Sequence, residues 1–109
     1  MMLARDASEQ DFQKQVQQVA QMYGWLTFHA TPHAVGTAWR TDGRGFPDLV
    51  LAHRDHGVIF AELKTERGRL SDGQKDWAAA LVGHVEYYCW RPSQLSSIMR
   101  RLRGLPWDL

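Results

Sequence analysis

The most informative part of this sequence covers residues 45–77 and reads GFPDLVLAHRDHGVIFAELKTERGRLSDGQKDW. Two runs within it, residues 48–53 (DLVLAH) and 58–64 (VIFAELK), are short and apolar at their centres. Between them, residues 55–57 (DHG) are of the types that favour a turn. Short apolar runs on either side of a turn predict two strands that pair as a β-hairpin.

Charged side chains lie where these two strands are expected to begin and end. Asp48 opens the first strand, and Glu62 and Lys64 lie two apart near the end of the second. Residues two apart in a strand point to the same face, so Glu62 and Lys64 project together and Leu63 points to the opposite face. The hairpin can bring Asp48 beside them. Two carboxylates and an ammonium at one rim of a sheet are costly to bury without a purpose.

These residue types suit phosphodiester hydrolysis assisted by a metal ion. Mg²⁺ and Mn²⁺ take oxygen ligands, commonly one or two carboxylates with water and a substrate phosphate. Asp48 and Glu62 are therefore candidate catalytic metal ligands, and the backbone carbonyl of Leu63 could face the same ion. Lys64 can place a positive charge on the attacking water or on a phosphate oxygen. On their own, Glu62 and Lys64 would be interpreted as an ordinary ion pair at an exposed strand end; it is their combination with Pro47 and Asp48 that favours a function.

The remaining segments predict three helices and two further strands. The first helix should lie between Ser8 and Gly24 and the second between Ser71 and Gly83, because serine is a good N-cap and glycine favours a helix C-terminus. Residues 31–47 hold three glycines and two prolines with little periodicity, which predicts a long loop of a functional or mobile kind. The further strands are expected at 25–30 and 85–90, and a last helix at 92–103. The order α-β-β-β-α-β-α predicts an α/β fold with a mixed central sheet flanked by helices.

Length and composition indicate one ordinary globular domain over residues 1–109. Hydrophobic residues make up 44% and charged residues 23% of the chain, and the net charge is +1. Trp25, Trp77 and Trp90 fall at apolar positions and are expected in the core. Cys89 is the single cysteine, expected to be a buried strand residue, so no internal disulfide can form. The N-terminus lacks the apolar run of a signal peptide, no stretch is apolar enough to cross a membrane, and an intracellular, cytoplasmic location is favoured.

Three motifs together resemble a known family. They are Gly45-Phe46-Pro47-Asp48, Ala61-Glu62-Leu63-Lys64, and Gly68-Arg69-Leu70-Ser71 followed by Gln74. In this order they resemble the PD-(D/E)xK nuclease superfamily and, within it, the VRR-NUC group. The resemblance extends from Ser8 to about Pro92 and implies a restriction-endonuclease-like core. No insertion separates the motifs, so the chain resembles the standalone form of the group.

The resemblance implies a function for each matching residue. Asp48 and Glu62 would bind a divalent metal, and Lys64 would assist the nucleophilic water or stabilise the transition state. Gln74 would orient Lys64, the water or the substrate, although it could instead make only a local helix cap. Glu9 would bind metal through water or complete a second site, although an acidic residue in the first turn of a helix is also favourable by itself.

Basic residues around the motifs are candidates for binding nucleic acid. His33 and Arg40 lie in the long loop before the first motif, from which they could reach a phosphate. Arg67, Arg69 and Lys75 surround the start of the second helix, a natural anion site. Their alternative is an ordinary solvated basic turn. The full set of candidates is His33, Arg40, Arg44, Arg67, Arg69 and Lys75.

The function predicted from these observations is a Mg²⁺- or Mn²⁺-dependent deoxyribonuclease without a small-molecule cofactor. The resemblance further implies an endonuclease of bacterial or phage-like type that forms a homodimer and acts on structured DNA, such as a four-way (Holliday) junction or a flap. Two alternatives remain open at this point. One is a non-cleaving nucleic-acid-binding module of the same fold, or a subunit of a larger nuclease complex. The other is a small structural or toxin-neutralising partner protein in which the motif is fortuitous.

Overall fold

The computed structural model describes residues 8–30, 34–35, 38–39 and 43–108, with side chains in the first and last of these ranges. The order of elements confirms the predicted α/β fold, with one small addition. The helices and strands are α1 (Glu9–Met22), β1 (Leu26–His29), β2 (Ala34–Val35), β3 (Ala38–Trp39), β4 (Leu49–His53), β5 (Gly57–Leu63), α2 (Asp72–Leu81), β6 (Glu86–Trp90), a 3₁₀ turn (Pro92–Gln94) and α3 (Leu95–Leu102).

The main sheet has four strands in the order β1-β4-β5-β6. β1 pairs antiparallel with β4, β4 pairs antiparallel with β5, and β5 pairs parallel with β6. The parallel pair is connected through α2, because a crossover between parallel strands needs a long connection. The sheet is therefore mixed, as the sequence predicts.

Helix α1 begins and ends where its sequence signals place it. The Ser8 side chain accepts a hydrogen bond from the Asp11 N–H at the N-terminus. The helix ends at Met22, with Tyr23 as its C-cap. Gly24 follows with a φ of +87°, a conformation that glycine adopts without steric cost. Phe12 and Val16 lie on the face that packs against the sheet and are fully buried.

The hydrophobic core lies on one face of the main sheet, between the strands and the helices α1 and α3. Alternate residues of β4 and β5 enter this core, because successive side chains point to opposite faces. The buried apolar residues of the core are Phe12, Val16, Val19, Ala20, Trp25, Leu49, Leu51, Ile59, Ala61, Leu63, Trp90, Ile98 and Leu102. The predictions for Trp25 and Trp90 are confirmed.

The other face of the sheet is covered in part by α2, and here the sequence prediction was wrong. No residue of α2 is fully buried, and Trp77 is only half-buried. Its ring packs edge-on against Phe46, with ring centroids 5.0 Å apart, and its indole N–H donates to the Arg44 carbonyl at 3.0 Å. A tryptophan can be half-exposed and hold a neighbouring loop through its ring and its N–H, as Trp77 does, or it can be fully buried in the core. Helical spacing in the sequence is the same in both cases, so it does not predict which one occurs.

Two further expectations need correction. Residues 31–47 were expected to lack regular structure, but β2 and β3 pair antiparallel as a two-stranded sheet within them. Strands of two residues are too short to leave an alternating pattern in the sequence. Cys89 is half-buried, because it points to the partly covered face of β6. Among the described residues, no helix has the length and apolar character needed to span a membrane.

Candidate active site

The pairing of β4 with β5 brings Asp48 opposite Glu62. The last registered pair is Leu49 with Ala61, so one more step along the antiparallel strands aligns Asp48 with Glu62. The Asp48 carboxylate oxygen Oδ2 accepts a hydrogen bond from the Leu63 backbone N–H at 2.8 Å. At this end of the hairpin, the side chain of Asp48 and not a backbone carbonyl of β4 accepts the hydrogen bond from β5. The hairpin predicted from the sequence does bring the two carboxylates together.

The same hydrogen bond fixes the direction of the Leu63 carbonyl. In a strand, the N–H and C=O of one residue point to the same neighbour. The Leu63 N–H points towards Asp48, while the next N–H, that of Lys64, points the other way and donates to the Trp90 carbonyl at 3.0 Å. The Leu63 carbonyl therefore lies on the Asp48 side of β5, where the sequence prediction put it.

Glu62 is the one charged residue that is buried among those the structure describes, with an exposed fraction of 1%. Burial is the largest influence on its carboxyl group, followed by the hydrogen bond and the negative charge of Asp48; together they raise the pKa of Glu62 to about 9. The charge of Lys64 acts in the opposite direction but does not offset them. At neutral pH and without a bound cation, the two carboxyl groups therefore share a proton, because two carboxylates this close would repel each other.

Gln74 connects α2 to Glu62 and also caps its own helix. Its side-chain oxygen Oε1 accepts from the Ser71 N–H at 2.8 Å, and the Ser71 hydroxyl accepts from the Gln74 N–H at 3.2 Å. This reciprocal capping box leaves the amide Nε2 free to donate to Glu62 Oε2 at 2.8 Å. One side chain therefore makes the local cap and also contacts Glu62, while the role of orienting Lys64, the water or the substrate stays a prediction.

A close approach of two glycines holds the loop before β4 against the start of α2. A Cβ atom on Gly45 would lie 2.3 Å from the backbone carbon of Gly73 and 2.5 Å from the Gln74 nitrogen. Gly45 also has a φ of +81°, so a side chain is excluded twice. The hydrogen bond from Trp77 to the Arg44 carbonyl holds the same two segments together. Because Asp48 lies only three residues after Gly45, these contacts fix its position relative to Gln74.

Lys64 and Glu9 complete the charged group. Lys64 is half-buried at the end of β5, and its charge acts on Glu62 and on Glu9. Glu9 begins α1; partial burial is the main cause that raises its pKa, and the negative charge of Asp48 adds to it. Three carboxyl groups and one ammonium therefore lie within electrostatic reach of one another, at the end of the sheet where β5 finishes.

The donors at this site fit a hard divalent cation. Asp48, Glu62 and the Leu63 carbonyl are all oxygen donors, the type that Mg²⁺ and Mn²⁺ prefer. Across the part of the chain that the structure describes, no three acidic, histidine or cysteine side chains form a ready-made metal-binding group. An arrangement of two carboxylates and a carbonyl that leaves positions for water and phosphate is the one that suits Mg²⁺ at a phosphoryl site.

The basic residues predicted to bind nucleic acid fall into two groups. Arg44, Arg67, Arg69 and Lys75 are exposed. They lie in the segments that carry Asp48, Lys64 and Gln74. His33 and Arg40 lie outside the described residues. The sequence prediction for these two positions therefore remains a prediction.

Sequence reasoning missed two side chains of β6 that flank Glu62. Cys89 is the register partner of Glu62 across the parallel pair, and Tyr87 is the partner of Phe60. Burial, followed by the charges of Cys89, Glu62 and Asp48, raises the pKa of Tyr87 to about 12. From the sequence, the alternation of side chains along β6 predicts that Tyr87 and Cys89 share one face. That this face is also the face of Glu62 follows only from the register of β5 with β6.

A mixed four-stranded sheet with acidic residues and a lysine at the end of its central hairpin is characteristic of the restriction-endonuclease-like fold. The chain belongs to the VRR-NUC domain family, whose model matches residues 4–94. It is therefore a domain of a nuclease family. No curated protein and no solved structure gave a match to this chain.

Proposed function

We propose that the chain is a single nuclease domain that uses Mg²⁺ or Mn²⁺ to hydrolyse DNA phosphodiester bonds, with Asp48, Glu62, Lys64 and Gln74 as its catalytic residues. One observation carries the proposal. Asp48 and Glu62 lie opposite each other at the end of the hairpin, and Glu62 is buried with no arginine or lysine of the described residues hydrogen-bonded to its carboxyl group. A buried carboxyl group is stable when it is protonated, paired with a cation or bound to a metal, and a metal ion can take the place of the proton on Glu62.

The chain's own groups supply binding and orientation. The carboxylates of Asp48 and Glu62 and the carbonyl of Leu63 would hold the cation, with Glu9 acting through water or at a second site. A bound divalent ion would acidify a water molecule and neutralise charge on the phosphate. Asp48 keeps its geometry because its other contact, the Leu63 N–H, is part of the backbone.

Lys64 and Gln74 would act next to this centre. Lys64 follows the strand directly, so its ammonium can stabilise the attacking water or a non-bridging phosphate oxygen as charge develops there. Gln74 holds one Glu62 oxygen through its amide and leaves the other oxygen of that carboxylate for the cation. Because the capping box fixes this amide, Glu62 is kept in one orientation.

The family and the surface charge support a proposal for the substrate and for the assembly. Four exposed basic residues beside the site, Arg44, Arg67, Arg69 and Lys75, support contact with a phosphate backbone. We propose that DNA with a branch, such as a four-way junction or a flap, is the preferred substrate and that the enzyme acts as a homodimer. Two sites in one dimer would allow paired cuts in two strands, which one site cannot make at once.

A non-cleaving DNA-binding module is the second candidate. It is favoured by one observation, namely that no complete three-ligand metal group is preformed among the described residues. This candidate predicts DNA binding that is indifferent to divalent ions. It also predicts that replacing Glu62 has no consequence for any activity, because no reaction takes place.

A cleavage assay separates the two candidates. Labelled four-way junction, flap, duplex and single-stranded DNA would be incubated with Mg²⁺, Mn²⁺ or EDTA, with wild-type protein beside Glu62→Ala. The nuclease proposal expects cleavage that needs the metal, is lost in the variant and is fastest on a branched substrate. Binding without cleavage under all these conditions would overturn it in favour of the binding module.

A further inference from the structure

The turn that follows Lys64 is held by a side chain from a different strand. Residues 65–68 reverse the chain, and the Gly68 N–H closes the turn on the Thr65 carbonyl at 3.2 Å. The turn joins β5 to the capped start of α2, so Lys64 lies just before it and Gln74 six residues after it. Movement of the turn would reach Lys64 directly, whereas the capping box with Ser71 holds Gln74 within α2.

Arg91 lies just after β6 and donates to the carbonyl groups of this turn. Its Nη1 lies 2.7 Å from the Thr65 oxygen, 2.8 Å from the Gly68 oxygen and 3.3 Å from the Glu66 oxygen. An NH₂ group has two hydrogens, so the two short contacts are full hydrogen bonds and the third is weaker. Carbonyl groups gathered in a half-buried turn need such a donor, because leaving them unpaired is costly.

A second contact runs in the opposite direction between the same two segments. The Glu66 carboxylate accepts from the Ser93 backbone N–H at 3.0 Å and from the Ser93 hydroxyl at 2.6 Å. A side chain after β6 thus holds the backbone of the turn, while a side chain of the turn holds the backbone after β6. This reciprocal arrangement fixes the position of the turn as well as its shape.

Gly68 of this turn lies next to the side chain of Lys64, with little space between the two residues. A Cβ atom placed on Gly68 would lie 3.3 Å from Lys64 Cδ and 3.0 Å from Thr65 Oγ1. Gly68 is also one of the residues whose carbonyl Arg91 binds. Arg91 therefore binds the carbonyl of a residue that lies beside the methylene groups of Lys64, and β6 contributes a second link through the hydrogen bond from the Lys64 N–H to the Trp90 carbonyl.

We propose that Arg91 is a positioning residue that holds the Lys64 ammonium at the reaction centre by fixing residues 65–68 against its side chain. The proposal rests on the nuclease function proposed above. Arg91 does not touch the substrate in this account. Its effect reaches the chemistry through Lys64 alone, and that restriction makes it testable.

A double-mutant cycle with Lys64 tests the proposal. The rate of a single turnover would be measured at saturating DNA and metal for Arg91→Met, Lys64→Met and the double variant, with Kd for DNA measured in parallel. Arg91→Met should lower the rate about ten- to hundredfold, the size expected for a small misplacement of a reacting group, with Kd unchanged. In the Lys64→Met background the same change should have no further effect. An equal loss in both backgrounds, or no loss in either, would overturn the proposal.

Two further variants keep the cycle interpretable. Arg91→Lys retains a cation with three donors on a shorter side chain, so it should recover much of the rate and remains available if Arg91→Met fails to fold. Arg103→Met removes one exposed positive charge from the end of α3 and should leave the rate unchanged. A rate as low in Arg91→Lys as in Arg91→Met would mean that something other than the held carbonyls is at work, and would count against the proposal.

Amide hydrogen exchange in the metal-free protein gives a readout that does not depend on cleavage. In Arg91→Met, exchange of the Gly68 N–H should become at least about tenfold faster through local opening, with the amides of α1 unchanged. Unchanged exchange at Gly68 would overturn the proposal even if the enzyme is active. Faster exchange in a protein that cuts no DNA would instead show that the turn is held by Arg91 but that the nuclease function, and with it the catalytic meaning of Arg91, is wrong.

Discussion

Two glutamates in neighbouring strands of the same sheet are stabilised in different ways. Glu86 begins β6 and receives hydrogen bonds from Arg101 and Tyr88; burial acts to raise its pKa, but these contacts outweigh it and lower the pKa. Glu62 near the end of β5 is more deeply buried, its amide partner is neutral and its other neighbour is Asp48, so its pKa is raised to about 9. Among the described residues, Glu86 has a cation hydrogen-bonded to it, Arg101, whereas Glu62 feels the charge of Lys64 but has no hydrogen-bonded cation. The difference indicates which of the two carboxylates is available for an external cation.

The largest expected effect is the loss of cleavage in variants of the carboxylate pair. Glu62→Gln and Asp48→Asn should each lower the cleavage rate by at least about 100-fold, because a group that stabilises developing charge is lost. The fold should persist, since each amide has the shape of the carboxyl group it replaces and carries no charge that burial would disfavour. The rate would be measured on labelled DNA with Mg²⁺ and with Mn²⁺, and the fold by thermal unfolding.

Glu86→Gln is the matched control for that experiment. It should leave the cleavage rate unchanged but cost about 1–3 kcal/mol of unfolding free energy, because the Arg101 guanidinium loses its charged hydrogen-bond partner. If Glu86→Gln stopped cleavage, or if both Glu62→Gln and Asp48→Asn cut normally, the distinction between the two glutamates would be lost.

A smaller effect is expected at Lys64. Lys64→Met should slow a single turnover by about 100-fold while divalent metal binding persists, since Lys64 supplies charge to the reaction and not a ligand. The control is Lys14→Met, which removes an exposed ammonium from α1 and should cut at the wild-type rate. Loss of metal binding in Lys64→Met would show that Lys64 maintains the structure of the site instead.

The two glutamates should also give stability opposite dependences on pH. In EDTA the folded protein keeps a proton on Glu62 that the unfolded chain releases above about pH 4.5, so this contribution is complete below that pH and is lost as the pH rises towards about 9. The contribution of Glu86 is present above its ordinary pKa and is lost as the pH falls through its lowered folded-state value. Urea unfolding from pH 3 to pH 9 would measure both.

The variants assign each part of that pH profile. Glu62→Gln should reduce the loss of stability towards pH 9, leaving the smaller part contributed by Glu9, whose pKa is raised as well. Glu86→Gln should reduce the loss towards acid pH. Saturating Mg²⁺ should have the same effect as Glu62→Gln on the alkaline side, because a bound cation replaces the proton. A wild-type profile that is flat above pH 5 would contradict the description of Glu62.

The smallest effect concerns the basic surface. Arg69→Ala should lower the slope of log affinity against log salt concentration by about 1, the value expected for one lost phosphate contact. The cleavage rate at saturating DNA should not change. The slope would be obtained from binding titrations at several salt concentrations, beside Arg103→Ala as a control at an exposed arginine of α3. Equal slopes for wild type and Arg69→Ala would remove Arg69 from the proposed DNA contacts.

Much of the sheet and of the acidic pair could be predicted from local patterns. Alternation placed Glu62 and Lys64 on one face, and the DHG turn fixed a hairpin that brings Asp48 to Glu62. The capping signal of Ser71 located the start of α2 correctly. Each of these inferences needs only neighbours in sequence or the register of a single hairpin.

The parts that escaped prediction depend on tertiary contacts. The Arg91 contacts to the turn, the Glu86–Arg101 pair and the approach of Gly45 to Gly73 join segments 15 or more residues apart and leave no periodic signal. Trp77 has the spacing of a core residue, but it serves as a clamp because α2 covers only part of its face of the sheet.

Binding of Mn²⁺ is the decisive measurement for the cation site, because it needs neither DNA nor turnover. Titrations of Mn²⁺ into wild type, Glu62→Gln and Glu86→Gln would be followed by calorimetry and by the loss of the free-ion electron paramagnetic resonance signal. We expect wild type and Glu86→Gln to bind the ion with similar affinity and Glu62→Gln to bind it far more weakly. Equal binding by all three proteins, or binding by none, would contradict the claim that Glu62 is the carboxylate that takes a cation from outside the chain.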